Sequence, residues 1–264
     1  MGILKSTIAI AVALGSAWSC KAYYVAPDDA GSDGATVPGD SGVPDASGLD
    51  DSPSSADVAA PASPCTSPAA SVVFCDDFDT GALGAKWDDA NAPLCSLDVN
   101  VAKSAPQSLH VVLPDTGSEQ ASHLTKGVPV PLSSNVRVAF ELWIDVPGAA
   151  YPFGLWFHDY NLTWSPVDLK VTESIPQDSG TPTFAFHDAP GPVPQRTWVH
   201  VELEVDRKNG KATFHLGTQS STFALAGAAF VALDDVPGLF MGLFDAGPHV
   251  SWDAHIDNVV VSTF

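Results

Sequence analysis

The chain is short of charge, and above all of positive charge. Only 16% of its 264 residues are charged, and 11 Lys and Arg stand against 31 Asp and Glu, a formal net charge of −20. That balance excludes a nucleic-acid backbone as a partner and disfavours direct contact with an anionic membrane face. Glutamate is scarce: Glu119, Glu141, Glu173, Glu202 and Glu204 are the whole supply, so carboxylate chemistry that needs Glu has few candidates. No apolar run approaches the roughly 20 residues that cross a bilayer as a helix. The serine-hydrolase pattern GxSxG, the phosphate-binding GxxxxGK[ST] and the zincin HExxH are absent, as is any CxxC or HxxxH pair that would announce a zinc site. With 22 Pro and 21 Gly, long helices are disfavoured and turns are frequent.

What is present begins with an export signal. Lys5 precedes Ile8–Trp18, an apolar run of signal-peptide length. It ends Ala17-Trp18-Ser19-Cys20, which resembles a bacterial lipobox. The resemblance implies loss of residues 1–19 and a lipidated Cys20 at the mature N-terminus. Lys21 in the next position resembles lipoproteins sorted to the outer membrane, so the membrane would be met only through the lipid. Ala17-x-Ser19 also fits ordinary cleavage, which would leave a secreted or periplasmic protein. Residues 20–68 follow as a tether. Ala26–Pro64 is made almost entirely of Asp, Ala, Ser, Pro and Gly without one aromatic residue, a composition that cannot bury enough apolar area to offset its ordering entropy.

An exported chain favours disulfides. Cys65, in Ser/Pro-rich chain, most needs a partner, and Cys65–Cys75 is the favoured pair. Cys65–Cys95 and Cys75–Cys95 are the alternatives, and Cys95, alternating with Leu97, Val99 and Val101, can also be a buried free thiol.

Residues 69–264 form the folded domain, with a period-two pattern from Ser71 onward. In Arg137–Val146, Val138, Phe140, Leu142 and Ile144 make one face, and Arg137, Glu141, Trp143 and Asp145 the other. Trp198–Asp206 repeats the pattern, with His200, Glu202 and Glu204 outward, and Asn209-Gly210 leads into Lys211–Leu216 as a hairpin. Further strand-like runs are Ser71–Phe78, Leu94–Val101, Ser108–Leu113, Phe153–Asp159, Thr183–His187, Ser221–Leu225, Leu239–Phe244 and Val250–Val261, while Gly227–Leu233 suits one helical turn. About a dozen short strands with turns between them predict an all-β, two-sheet antiparallel sandwich.

Three segments carry a resemblance. Phe74-Cys-Asp-Asp-Phe-Asp79 followed by Trp87, Arg196-Thr-Trp-Val-His-Val-Glu-Leu-Glu-Val-Asp206 with Asn209-Gly-Lys-Ala-Thr-Phe-His-Leu-Gly217, and Ile256-Asp-Asn-Val-Val-Val261 resemble the opening strand, central hairpin and closing strand of bacterial concanavalin A-like lectin/glucanase (LamG-like) domains. The resemblance implies a jelly roll with a concave front sheet and a convex back sheet, and sugars bind on the concave side in many members. It is specific for fold and not for activity.

Three candidate sites follow. The alternation through Tyr151–Trp164 is expected to put Trp156, His158 and Tyr160 on one face, with Trp143 joining from a neighbouring strand: flat rings beside hydrogen-bonding groups, suited to a neutral polysaccharide. Glu202 and Glu204, two apart on one strand face, lie within the separation a glycosidase acid/base pair can use. The superfamily's Glu-x-Asp-x-(x)-Glu motif is incomplete, however, since the chain reads Glu202-x-Glu204-x-Asp206. Catalytic residues are therefore not expected; an enzyme would have to use Glu141 with Glu202 or Glu204. Asp77 and Asp79 in the first strand and Asp257 in the last form an oxygen-rich set suited to Ca2+, the one cofactor candidate. The leading reading is a cell-envelope lipoprotein displaying a non-catalytic carbohydrate-binding or adhesive sandwich. The alternatives are a glycan-cleaving hydrolase or lyase and a structural envelope lipoprotein without small ligand.

Overall fold

A computed structural model describes residues 63–115, 120–131, 134–231, 236–246 and 251–264. The signal peptide, Cys20 and the tether up to residue 62 lie outside the described residues. In chain order the strands are β1 (Val72–Asp76), β2 (Asp89–Asn91), β3 (Cys95–Asp98), β4 (Ser108–Leu113), β5 (Gln120–Gly127), β6 (Val136–Val146), β7 (Tyr151–Phe157) and β8 (Tyr160–Ser165). There follow β9 (Lys170–Ile175), β10 (Thr183–Asp188), β11 (Val199–Asp206), β12 (Lys211–Leu216), β13 (Gln219–Ala224), β14 (Gly238–Ala246) and β15 (Trp252–Thr263). Among the described residues the one helical turn is α1 (Ala228–Val231).

The strands form the two antiparallel sheets of a jelly roll. One runs β13-β12-β11-β6-β15-β4-β3, with β1 also on β15; the other runs β10-β9-β8-β7-β14-β5-β2. β15 is long enough to pair with β4 through Trp252–Ile256 and with β1 through Val259–Ser262 along the same edge. First and last strands are therefore neighbours. The β11–β12 hairpin closes with Asp206 opposite Lys211, and Gly210 supplies a φ of 60° that few other residues adopt readily.

The alternation read from β6 and β11 holds residue for residue. Val138, Phe140, Leu142 and Ile144, and Val199, Val201, Leu203 and Val205, are all buried. They meet Phe153, Leu155, Phe157, Leu162 and Trp164 of the other sheet in one core. Two aromatic pairs join the sheets, Phe140–Phe153 at 5.3 Å between centroids and Trp164–Phe214 at 5.0 Å. Truncating any of these large side chains to Ala should cost about 3–5 kcal/mol, because close-packed interiors relax only partly into a cavity.

The disulfide is Cys65–Cys75, with Cα atoms 5.5 Å apart, and Cys95 is a half-buried free thiol. Burial pushes the Cys95 thiol up to about 11, with the Ser122 hydroxyl bond only partly opposing, so this cysteine is a poor nucleophile.

Four strands lack a period-two signal that stands out in the sequence: β2, β5, β8 and β9. The most consequential is β8. Phe157 pairs with Tyr160, so His158-Asp159 is a two-residue hairpin turn, with His158 at a φ of 54°. The turn reverses the chain inside what reads as one aromatic run.

Candidate functional site

The hairpin at His158 corrects the expected aromatic face. A chain that reverses between residues 157 and 160 no longer places 156 and 160 on one side. Tyr160 is fully buried and points into the core, where it stacks on Phe230 at 6.2 Å. His158 is exposed at the turn beside Asp159. Trp143 belongs to β6, in the eight-stranded sheet, while Trp156 belongs to β7, in the seven-stranded one. Trp143 instead packs against Trp198, 5.9 Å away. Of the four expected ligand-binding residues, only Trp156 remains on the outer face of the seven-stranded sheet.

The sheet register rebuilds that face. One row across it reads Phe184, Ser174, Asn161, Trp156, Gly238; the next reads Phe186, Thr172, Thr163, Gly154, Phe240, Thr125. Phe184 and Phe186 are exposed on the edge strand. A strip of small polar groups, Ser174, Asn161, Thr172 and Thr163, separates them from Trp156 and Phe240. These two rings lie over glycines of each other's strands. A Cβ on Gly238 would stand 1.8 Å from Cε2 of Trp156, and one on Gly154 would stand 2.1 Å from Cε1 of Phe240. Each ring can lie flat on the sheet only because its cross-strand neighbour has no side chain. The two rings are 19° from parallel with centroids 6.0 Å apart, and His123 and Phe244 border Phe240 at 6.0 and 4.7 Å. Phe240, Phe244, Phe184 and Phe186 were not among the residues expected from the sequence. Gly154 and Gly238 inside apolar strands were the available signal.

The terminal-strand carboxylates meet in part. The carboxylate of Asp257, wholly buried, accepts from the backbone N–H of Lys103 at 2.8 Å and Ser104 at 2.9 Å. Asp79 accepts from the Gln107 N–H at 3.1 Å and lies 3.5 Å from the Ser104 hydroxyl, which also stands 3.4 Å from Asp257 and 3.1 Å from Asn258 Oδ1. Burial pushes Asp257 up to about 7 and raises Asp79, with backbone N–H bonds opposing both shifts. Asp77 departs from the expected trio: it accepts from Ser63 at 2.6 Å and pairs with Lys86 at 3.4 Å.

Glu141, Glu202 and Glu204 do come together, on the outer face of the eight-stranded sheet. A groove of about 470 Å³ there is lined by Lys103, Arg137, Glu141, His200 and Glu202. Its charges are interlocked. His200 donates from Nδ1 to Glu141 at 3.0 Å and reaches to 3.7 Å from Glu202, Arg137 lies 3.6 Å from Glu202 and bonds Glu204, and Lys103 lies 3.6 Å from Glu141. His200, 3.7 Å away, and then Arg137 hold Glu202 below the usual carboxylate range despite its burial. A glycosidase general acid needs the opposite shift.

No protein-family model matches the chain, and no curated protein sequence matches it. Solved structures do share the fold. One is "Cellulose induced protein, Cip1", with a TM-score of 0.52 at 16% identity over 72% of this chain and 96% of that one. Another is a structure described under "Prominent members of the human gut microbiota express endo-acting O-glycanases to initiate mucin breakdown", with a TM-score of 0.51 at 10% identity over 74% of this chain and all of that one.

Proposed function

We propose that this chain is a cell-envelope lipoprotein that binds neutral polysaccharide, without cleaving it, on the outer face of its seven-stranded sheet. The observation that carries the reading is the half-buried indole of Trp156, laid flat over Gly238 with the buried Phe240 ring packed alongside it. The indole offers its face to the C–H face of a pyranose, and the half-buried Asn161 and Ser174 beside it supply donors and acceptors for hydroxyls. The net charge of −20 repels acidic glycans and leaves neutral ones as the class to bind. Of the two structures described above, one is of a cellulose-induced protein and the other is connected with O-glycanases, which agrees with glycans as the ligand class to test. Lipidation of Cys20 would hold the domain at the outer membrane, with the tether as spacer. Ca2+ would be held by Asp79 and Asp257 with the Ser104 hydroxyl, a set of hard oxygen donors that ties the turn after β1 to β15.

The test is calorimetric titration of the chain with laminarin and xylan, and with alginate as an acidic comparison. Binding of a neutral glycan that is lost in Trp156→Ala and kept in Trp143→Ala is the expected result. Binding that survives Trp156→Ala, or no binding to any neutral glycan at millimolar concentration, overturns the platform. Sugar release abolished by Glu202→Gln would instead establish the enzyme reading. Ca2+ should raise the melting temperature of the wild type but not of Asp79→Asn.

A further inference from the structure

We propose that His255, Asp145 and Asp253 form a binding site for a first-row divalent transition ion such as Zn2+, on the outer face of the eight-stranded sheet. The site is independent of the glycan face and of the Asp79–Asp257 pair.

Three neighbouring strands build it. In the β4-β15-β6 register, His255 stands opposite His110 on one side and Trp143 on the other. The β6–β15 ladder then slips: Ile144 faces Ala254 but Val146 faces Asp253, which leaves Asp145 as the extra residue of a bulge. Bulges re-aim side chains next to sites, and here Asp145 reaches His255. One ligand atom each from Asp145, Asp253 and His255 lie within 4.8 Å of one another. Nε2 of His255 stands 3.6 Å from Asp145 Oδ2, too far for a hydrogen bond. Two ligands at the bond lengths Zn2+ uses, about 2.0–2.1 Å, stand roughly 3.4 Å apart at a tetrahedral angle. The imidazole is only 3% exposed, and its Nε2 makes no hydrogen bond among the described residues. A buried imidazole whose Nε2 stands near that spacing from the Asp145 carboxylate, with an Asp253 oxygen within 4.8 Å, is the observation that points to an ion.

The surroundings hold each ligand in place. The far side of His255 meets Ser108 Oγ at 3.4 Å and Asp98 Oδ2 at 3.7 Å, the carboxylate-behind-imidazole arrangement that orients a metal-bound histidine. His110 donates from Nε2 to Asp253 Oδ1 at 2.8 Å and stacks on His255 at 4.2 Å with 2° between the rings. Parallel stacking keeps the two imidazole lone pairs from converging on one ion, so His110 positions Asp253 and does not ligate. Trp143 Nε1 donates to Asp145 Oδ2 at 2.9 Å. One imidazole nitrogen with two carboxylates suits Zn2+ and its neighbours, whereas Ca2+ takes oxygen ligands. Arg196, 75% exposed, touches the other Asp145 oxygen at 3.5 Å and is free to swing aside. The group Glu202, Glu204 and His215 is different, because Arg137 already bonds Glu204 and lies 3.6 Å from Glu202.

The test is titration of the chelator-stripped chain with Zn2+ by calorimetry, with the melting temperature of each variant recorded in the absence of metal. One equivalent should bind, Asp145→Asn and Asp253→Asn should each weaken binding at least about tenfold, and His110→Gln should weaken it about 10–100-fold as an orienting group does. Glu202→Gln should leave it unchanged. Copper EPR of the wild type should show coupling to one nitrogen, lost in His255→Gln. Should that buried substitution prevent folding, Asp253→Asn carries the test, since its side chain is 33% exposed. No binding at millimolar Zn2+, affinity unchanged in both Asp variants, or displacement of Zn2+ by equimolar Ca2+ would overturn the site.

Discussion

Trp156 rests on Gly238 so closely that the space a methyl group would need is already occupied by the indole. The half-buried ring and the missing side chain are one structural feature, and they should fail together. Gly238→Ala should lift the indole off the sheet and cost about 1–3 kcal/mol, as overpacking does. Urea melts give the stability change, and laminarin or xylan titration should show the loss of binding that Trp156→Ala shows. A Gly238→Ala protein that binds normally would mean the flat ring is not the contact.

Glu173 is the most committed carboxylate of the seven-stranded sheet. It has no exposed surface, and it accepts from the Tyr160 hydroxyl at 2.8 Å, the N–H of Gly227 at 2.9 Å, the N–H of Ala226 at 3.0 Å, and His187. Burial alone would raise its carboxyl, but those N–H and O–H bonds hold it below the usual range. Tyr160→Phe should cost about 1.5–3 kcal/mol, the worth of a hydrogen bond to a charged group. Glu173→Ala should cost about 3–5 kcal/mol, because it strands several buried donors. Denaturant melts at neutral pH check both, and near-equal values would contradict the network.

The His200–Glu141 pair predicts a pH dependence. The hydrogen bond to Glu141, with the Glu202 carboxylate 3.7 Å away, holds the imidazolium of His200 up to about 9, against 6.5 for an ordinary histidine. A folded value above the unfolded one means the stabilisation is complete below about pH 6.5 and is lost as pH rises through about 9. The gap in melting temperature between wild type and His200→Gln should therefore be widest near pH 6 and close by about pH 10. The effect should be small, because nearly half of the side chain is in solvent. A gap that widens with pH would show that His200 acts through something other than its charge.

Reducing Cys65–Cys75 should release the chain ahead of β1 and leave the sandwich folded. The bridge closes a loop with a sequence separation of 10, for which chain entropy gives about 2–3 kcal/mol. Limited proteolysis of Cys75→Ser should cut near residue 65 first, with the core resistant. Cys95 should not replace the lost partner: its sulfur is held against Ser122 on a different strand. Collapse of the whole core on reduction would contradict this.

The class of fold and the two faces of its most regular strands are legible in the chain alone. Alternation in Arg137–Val146 and Trp198–Asp206 sorts core from surface with period two, a local property of the extended chain. The favoured cysteine pairing is legible too, since Cys65, in chain that can bury little, needs a bridge more than Cys95 does. Which faces combine is a matter of long-range packing. Period two says that Trp143 and Trp156 each point away from a core, but not that the chain crosses from one sheet to the other between Val146 and Tyr151, which puts them on opposite sides of the molecule. Nor does a His-Asp pair announce the two-residue turn that sends Tyr160 inward; Asn-Gly would have. The bulge that brings Asp145 to His255 is a mismatch between strands more than a hundred residues apart, and the face over Gly154 and Gly238 depends on which glycine lies opposite which ring. Those are facts of register, set by long-range pairing and the close packing of one shared core, and no local pattern encodes them.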